Sequence, residues 1–200
     1  MRISLLLLSL TAAPLLSAQP PGKTASPIPG VRQEILSTFN SASNRSLTLA
    51  KAIPQEKLTW RPMEGVRSFG EVFVHIAGST LLFCSYAGMK IPEGPAHDLA
   101  TVYMKRGFEL PELFATEAAI KDRGKIVEVM EQAIAQAREL IGGLSDADLE
   151  KKVDFFGRPI TLRGLFIQGN EHLGEHLGQA IAYARVNHIV PPWSEPQKKK

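Results

Sequence analysis

Cysteine is almost missing from this sequence, because Cys84 is the only one in 200 residues. A single cysteine excludes an internal disulfide, so the fold must be stabilised mainly by its hydrophobic core. Cys84 ends the apolar string 81–84. This environment predicts a buried, unreactive thiol rather than a reactive one.

The sequence also lacks a hydrophobic run long enough to span a membrane at its N-terminus. Residues 1–18 combine a basic start at Arg2, an apolar stretch from Leu5 and small residues at the end, and Pro14 interrupts the stretch. These features are typical of a signal peptide cleaved before Gln19, not of a stable membrane span. We therefore expect a periplasmic or secreted protein of 182 residues, a length that suits one domain.

An excess of charge of either sign is missing as well. The chain has 23 Lys and Arg against 20 Asp and Glu, and its sequence pI is about 9.0. Without Arg2 and the three C-terminal lysines, 19 basic residues face 20 acidic ones, so the folded body is close to neutral. Aromatic residues make up only 7% of the chain and no basic stripe contains them. These observations argue against a nucleic-acid partner.

Proline and glycine mark the limits of the expected domain. Segment 19–30 contains four prolines and two glycines and is predicted to be a flexible lead-in. The domain itself is expected over residues 31–192, and residues 193–200 form a tail that ends in three lysines.

Four long amphipathic segments dominate this domain. Ser68, followed three residues later by Glu71, forms a capping-box motif that predicts the start of the second helix. The segment Ile91–Thr116 is rich in proline and glycine and predicts a long, partly irregular crossing, whereas Val153–Pro159 predicts a bent, hairpin-like segment. The pattern predicts an all-α fold, an antiparallel four-helix bundle with a long crossing between its second and third helices. The expected helices are about Val31–Ile53, Ser68–Ala87, Glu117–Ile141 and Thr161–Asn187.

Three histidines are the strongest functional signal in the chain. His172 and His176 are four residues apart in the last predicted helix, so they share one face of it. That face also carries Leu165 and Ala180, and His75 lies on the apolar face of the second helix. Because a buried imidazole without a partner is costly to desolvate, we expect the three rings to meet. Three imidazole nitrogens would bind one divalent metal ion and leave positions for water or substrate.

Two familiar metal sites with paired histidines do not fit this sequence. Residues 172–176 match the H-x-x-E-H motif of zinc proteases, in which Glu175 would activate water. Those proteases take a further carboxylate ligand well downstream, but only 24 residues follow the motif here and Glu195 is the sole acid among them. A di-iron bundle requires glutamate three residues before each ligand histidine. Those positions hold Val72, Gly169 and Leu173.

Simpler roles stay open for single residues near the motif. His75 alone would also suit a core histidine hydrogen-bonded to a neighbouring carbonyl. Glu171 and Glu175 are rotated by about 100° from the histidines that follow them, so they are expected to face solvent or a neighbouring helix. The sequence therefore predicts metal ligands but no general base.

Three motifs make the chain resemble the DinB-like superfamily of four-helix bundles. They are Arg67–Glu71 leading into His75–Ala77, the stretch His172–Gln179, and the stretch Tyr183–Pro192. In that family one histidine of the second helix and two of the fourth bind a divalent metal, often zinc or nickel. By motif position, the corresponding metal ligands are His75, His172 and His176.

The family includes bacillithiol S-transferases and a mycothiol-dependent maleylpyruvate isomerase. The resemblance therefore implies a metal-dependent hydrolase or thiol-dependent transferase that acts on a small molecule. The alternatives are a non-catalytic metal-binding or stress-response bundle and a metal-free bundle that binds a ligand or partner. Leu177 departs from the arginine or other polar residue that often follows the last ligand histidine in relatives, so substrate specificity is not transferred. The oligomeric state stays open, with a homodimer as one alternative.

Overall fold

Helices dominate the computed structural model, which describes residues 29–91, 93–105 and 110–194. Within these ranges the α-helices are α1 (Val31–Ala52), α2 (Phe69–Tyr86), α3 (His97–Met104), α4 (Leu110–Ala119), α5 (Arg123–Gly143) and α6 (Leu162–Val186). An antiparallel hairpin of β1 (Lys152–Phe155) and β2 (Arg158–Thr161) precedes α6. The predicted signal peptide, the lead-in apart from Pro29 and Gly30, and the tail beyond Ser194 lie outside the described residues.

The four long helices α1, α2, α5 and α6 form the predicted bundle. The helices α1 and α5 are antiparallel neighbours, because the start of α1 is hydrogen-bonded to Asp146, just after α5. At the other end, Gln55 follows α1 and donates to the carbonyl of Lys121, just before α5. The helices α2 and α6 are also antiparallel, since Phe83, late in α2, packs on Gly169, early in α6. The all-α bundle is therefore confirmed.

The long crossing makes α2 and α5 parallel neighbours. Gly70, at the start of α2, packs against Ile126 at the start of α5. Cys84 and Ile141, at the opposite ends of the same helices, line one small cavity. Two parallel helices need a connection that returns along the full length of the bundle, which explains why the segment between α2 and α5 is long.

The crossing is more regular than the sequence predicted, because it contains both α3 and α4. The helix α3 packs on α2 through Leu99, Ala100 and Tyr103, which are all buried. Proline is compatible with α4 because Pro111 is its second residue, where the backbone N–H has no partner within the helix. Tertiary burial on α2 therefore outweighed the local proline and glycine content.

The predicted start of the third long helix was wrong by six residues. The prediction began at Glu117, but α4 continues to Ala119 and α5 begins only at Arg123. Asp122 lies between them, and its carboxylate accepts a hydrogen bond from the backbone N–H of Lys125 at 3.0 Å. This N-cap starts a new helix, and it leaves Glu117 in the crossing.

The remaining local predictions were accurate. The Ser68 hydroxyl accepts from the Glu71 backbone N–H at 3.4 Å, and the Glu71 carboxylate accepts from the Ser68 N–H at 2.8 Å, so the capping box is complete. Thr161 caps α6 in the same way by accepting from Gly164. The hairpin turns through Phe156 and Gly157, which both have positive φ, at 52° and 79°.

The core is centred on α2, which is buried on most of its surface. This helix is long and apolar enough to cross a membrane by length and composition, but 78% of its 18 residues are buried inside the protein. Its hydrophobicity is therefore that of the central helix of a bundle. The largest side chains with almost no exposure are Leu49, Ile53, Leu58, Phe69, Phe73, Ile76, Leu81, Leu99, Ile126, Met130, Leu149 and Leu165.

Candidate metal centre

Three histidine rings meet between α2 and α6. His75 lies in the second turn of α2, and His172 and His176 lie one turn apart on the facing side of α6. The Nε2 atoms of His75 and His172 are 3.2 Å apart, and the three rings offer one nitrogen each within 4.8 Å of the others. The structure therefore brings together all three predicted residues, and this cluster could hold a metal ion.

The spacing of the nitrogens suits a small tetrahedral ion. Bonds from zinc to histidine nitrogen are about 2.0–2.1 Å, so two ligand nitrogens at a tetrahedral angle lie about 3.4 Å apart. The 3.2 Å separation of His75 and His172 is close to this value. His176 is in edge contact with both rings, with centroid distances of 4.5 Å to each. The three rings therefore lie close enough together to hold one ion between them.

The orientation of the His75 ring is set by a carboxylate on α4. The Nδ1 atom of His75 lies 2.8 Å from an oxygen of Glu117 and 2.7 Å from the hydroxyl of Tyr103. A carboxylate only accepts hydrogen bonds, so the ring proton belongs on Nδ1. The lone pair of Nε2 then points towards His172, as a metal ligand requires.

Glu117 is fully buried and is itself held by three side chains. Arg67 donates to both of its oxygens, from Nε at 2.6 Å and from a terminal nitrogen at 3.1 Å. Tyr103 donates to the same oxygen that contacts His75. Burial by itself would raise the pKa of Glu117, but the hydrogen bonds from these three partners outweigh it and lower the pKa below its ordinary value. The group is therefore a carboxylate at neutral pH.

His176 has a support of its own within α6. Its Nδ1 lies 2.8 Å from the amide oxygen of Gln179, and the amide nitrogen of Gln179 donates to the hydroxyl of Tyr183 at 2.9 Å. The Tyr183 hydroxyl in turn donates to the backbone carbonyl of Arg67 at 3.4 Å. This series of hydrogen bonds leaves Nε2 of His176 as the nitrogen available to bind a metal ion.

The rings of His172 and His75 are neutral at pH 7. Burial lowers the pKa of His172 to about 4, and the charges of His176, His75 and Arg67 act in the same direction. Burial also lowers the pKa of His75, against the opposing effect of its hydrogen bond to Glu117. Neutral imidazole is the form that binds a metal ion, so no proton has to be displaced from these two rings at pH 7.

Close packing around His75 depends on a glycine. Gly78 lies one turn after His75 in α2, and the ring of Tyr103 packs directly on its backbone. A methyl group at this position would overlap the Tyr103 ring. The missing side chain therefore lets α3 approach α2 closely enough for the Tyr103 hydroxyl to reach His75 and Glu117.

Other residues considered from the sequence lie away from this chemistry. Glu171 and Glu175 are exposed, as expected from their rotation around α6, and Glu71 serves as a helix cap. Cys84 is buried, and burial raises the pKa of its thiol to about 12, in agreement with the predicted unreactive cysteine.

Sequence analysis missed Glu117 as part of the site. It was treated as the first residue of a long helix, so its side chain had no expected partner. The available signal was its spacing from Leu113, four residues earlier, which places an acid on the same face as a buried leucine. An acidic residue on a buried face requires a partner, and here the partners are Arg67, Tyr103 and His75.

Comparison with known families identifies the superfamily of this chain. The family model described as the DinB superfamily matches residues 38–180, which include all three clustered histidines. The chain belongs to the DinB superfamily. A relative in Bacillus subtilis, the uncharacterized protein YjoA, is 28% identical over 164 residues, which cover 80% of this chain and 94% of YjoA.

Solved structures of DinB-like proteins have the same fold as this DinB superfamily member. A DinB-like protein from Bacillus cereus has a TM-score of 0.62 at 18% identity, and the match covers 80% of this chain and 95% of the other. The YjoA structure from B. subtilis has a TM-score of 0.58 at 20% identity and covers 84% and 98%. A conserved protein from Enterococcus faecalis has a TM-score of 0.58 at 13% identity and covers 80% and 98%.

Proposed function

We propose that this DinB superfamily protein binds one divalent metal ion through the Nε2 atoms of His75, His172 and His176. Zinc and nickel are the first candidates, because imidazole ligands suit both. The observation that supports the proposal is the hydrogen bonding of the Nδ1 atoms, on the side of the rings away from the cluster. Nδ1 of His75 and Nδ1 of His176 each face an oxygen acceptor, so the Nε2 lone pairs are left inside the cluster.

We further propose that the metal centre acts on a small molecule, by hydrolysis or by transfer to a thiol. A divalent ion bound by three neutral imidazoles supplies Lewis acidity and leaves positions for water, thiolate or carboxylate. The buried Cys84, with its raised pKa, is unsuited to act as a thiolate, so a thiol would have to arrive as a cosubstrate. Glu117 accepts from three side chains and is therefore occupied in holding His75.

We also propose that the protein is exported and works in the periplasm or outside the cell. The support is the sequence of residues 1–18, which combines a basic start, an apolar stretch and small residues before Gln19. Cell fractionation and N-terminal sequencing test this proposal. The expected result is a mature chain that begins at Gln19, and a cytosolic chain that keeps its first residues would contradict it.

A non-catalytic role is the second candidate. It is favoured by the placement of the ligands on both α2 and α6 and by the link from His75 to α4, since an ion there would brace three helices. The two functions differ in their response to metal. A structural ion would stabilise the fold without turnover, whereas a catalytic ion would also support a reaction with a small-molecule ester, amide or thiol-acceptor substrate.

The direct test is the metal content and metal affinity of the purified protein. We expect about one equivalent of metal in wild-type protein and none after substitution of His172 by alanine, because two imidazoles alone bind weakly. His188→Asn is the matched control, since His188 is exposed and its φ of 60° is tolerated by asparagine.

Two outcomes would contradict parts of this proposal. If wild-type protein binds neither zinc nor nickel after exchange at pH 7.5, the metal-binding function is wrong. If it binds metal and unfolds when EDTA is added, but turns over no member of a panel of small ester, amide and thiol-acceptor substrates with either metal, the non-catalytic alternative is favoured.

A further inference from the structure

The buried carboxylate of Glu117 has more hydrogen bonds than its place in a helix requires. It is 0% exposed and accepts from His75, Tyr103 and both nitrogens of Arg67 that face it. Because α4 belongs to the crossing and not to the bundle, this contact is made by an element outside the helices that carry the histidines. The crossing therefore contacts the histidine cluster through the carboxylate of Glu117 on α4 and the hydroxyl of Tyr103 on α3.

The hydrogen bonds that orient His75 on α2 and those that orient His176 on α6 both lead to Arg67. Its guanidinium group binds Glu117, which holds His75 on α2. Its backbone carbonyl accepts from Tyr183, which holds Gln179 and through it His176 on α6. Arg67 directly precedes the cap of α2, so its backbone position is fixed by the capping box. The orientations of two rings thus depend on one residue.

Fold stability alone does not account for this arrangement. Taking a carboxylate out of water is unfavourable, and a buried ion pair often contributes no more to stability than well-packed apolar side chains of the same volume. The same carboxylate is favourable beside a histidine that binds a cation, because it fixes the tautomer and strengthens the ligand. The geometry at His75 meets this requirement, with Nδ1 at 2.8 Å from the carboxylate oxygen.

We propose that Glu117 is a positioning residue of the metal centre, which sets the affinity for the metal ion by holding His75 in its Nδ1-protonated form. Arg67 and Tyr103 hold the carboxylate in place for this role. The inference rests on the proposed metal binding and extends it to the crossing. It assigns to α4 a part in the site that its sequence position, between the second and third long helices, does not suggest.

The first test compares metal affinities after loss of the charge. Glu117→Gln keeps the shape of the side chain but removes its charge, and we expect zinc affinity, measured by competition with a chromophoric chelator, to fall about 10- to 100-fold. Tyr103→Phe removes one hydrogen bond to the carboxylate and is expected to have a smaller effect. Glu131→Gln is the control, because Glu131 is half exposed and pairs with Lys51 on the surface.

A purely structural role predicts a different pattern. In that case Glu117→Gln would lower the free energy of unfolding of the metal-free protein but leave the zinc affinity of the folded protein within twofold of wild type. Urea unfolding in EDTA and zinc competition, done on the same variants, separate the two effects. An unchanged affinity in Glu117→Gln would overturn the proposal.

A measurement on the wild-type protein avoids any dependence on the variants. Nitrogen-15 NMR of the histidine side chains reports which ring nitrogen carries the proton in metal-free protein at pH 8. We expect Nδ1 to be protonated in His75, and a proton on Nε2 would contradict the proposal even if Glu117→Gln does not fold. Wild-type protein that binds no metal would instead refute the proposed function, so the two failures are distinguishable.

Discussion

Around His75, the size of a side chain matters as much as its chemistry. Gly78 is valuable because it lacks a side chain, so the ring of Tyr103 can lie on the backbone of α2. Tyr103 then reaches both His75 and Glu117 with its hydroxyl. The helix α2 thus carries both the candidate ligand His75 and, at Gly78, the space for the Tyr103 ring that supports it. A change of one methyl group at Gly78 is therefore expected to affect the metal centre from a distance.

Gly78→Ala is predicted to destabilise the protein and to weaken zinc binding. Alanine improves helix propensity by about 1 kcal/mol, but overlap with a packed ring typically costs about 1–3 kcal/mol and would push Tyr103 away from His75. Gly174→Ala is the matched control, since Gly174 lies on the exposed face of α6 with no atom near its missing side chain. It should gain up to about 1 kcal/mol. Equal effects in urea unfolding would refute the packing argument.

The clustering of the three histidines was predictable in part from helical periodicity. His172 and His176 share a face with Leu165 and Ala180, and the buried neighbours of that face are local information. Glu117 was not predictable in its role, because its partners Arg67 and His75 are 50 and 42 residues away in the sequence. No local pattern identifies which distant residue will face a buried acid.

At the scale of secondary structure elements, the crossing is where sequence and structure differ most. Its proline and glycine content predicted an irregular segment, yet α3 and α4 form because they bury Leu99, Tyr103 and Leu113 against the bundle. The bounds of α1, α2 and α6 were predicted closely, since each has a periodic apolar stripe, and Ser68 and Thr161 cap the starts of α2 and α6. Short helices have fewer residues to show a period, and their stability comes from tertiary packing.

Asp122→Ala is predicted to destabilise the start of α5. The Asp122 carboxylate accepts from the backbone N–H of Lys125, and loss of such a cap typically costs roughly 0.5–2 kcal/mol. The measurement is the free energy of unfolding in urea. Asp122→Asn keeps an oxygen acceptor and should recover most of the stability. If the asparagine and alanine variants are equally destabilised, the cap is not the reason for the helix break.

At the scale of the whole molecule, the histidine site combines two neighbouring bundle helices, α2 and α6, with α4, which belongs to the crossing and not to the bundle. The helices α2 and α6 are antiparallel neighbours, whereas α4 belongs to the connection that makes α2 and α5 parallel. Glu117 brings this connection to the ligand helices. The histidine cluster thus lies at the junction of bundle and crossing. The protonation of its buried groups, His75 and His172, is linked to folding.

The metal-free protein is predicted to lose stability as pH falls from about 6.5 towards about 4. The unfolded chain takes up protons on histidine near pH 6.5, whereas burial lowers the pKa of His172 to about 4 and also lowers the pKa of His75 in the folded protein. The unfolded state therefore binds more protons in this range, and acid favours it. Stability is fully present above about pH 6.5.

Urea unfolding in EDTA at pH 7.5, 6, 5 and 4 measures this dependence. The variant His172→Asn should show a smaller decrease over the same range, because one of the titrating groups is gone. Glu117 adds to the decrease at the acid end, since its pKa is also lowered in the folded protein. A free energy of unfolding that is constant between pH 7.5 and 5 would contradict the prediction.

The sequence by itself determined the helical class, the long helices with their caps and the three candidate ligands, because these depend on periodicity and on contacts within a few residues. Only the tertiary structure decided the helices of the crossing, the break before Asp122 and the role of Glu117. Those features depend on which distant surfaces become buried together. Glu117 meets its hydrogen-bond partners only when these surfaces pack together, and those hydrogen bonds keep the buried carboxylate ionised, so its proposed role exists only in the folded chain.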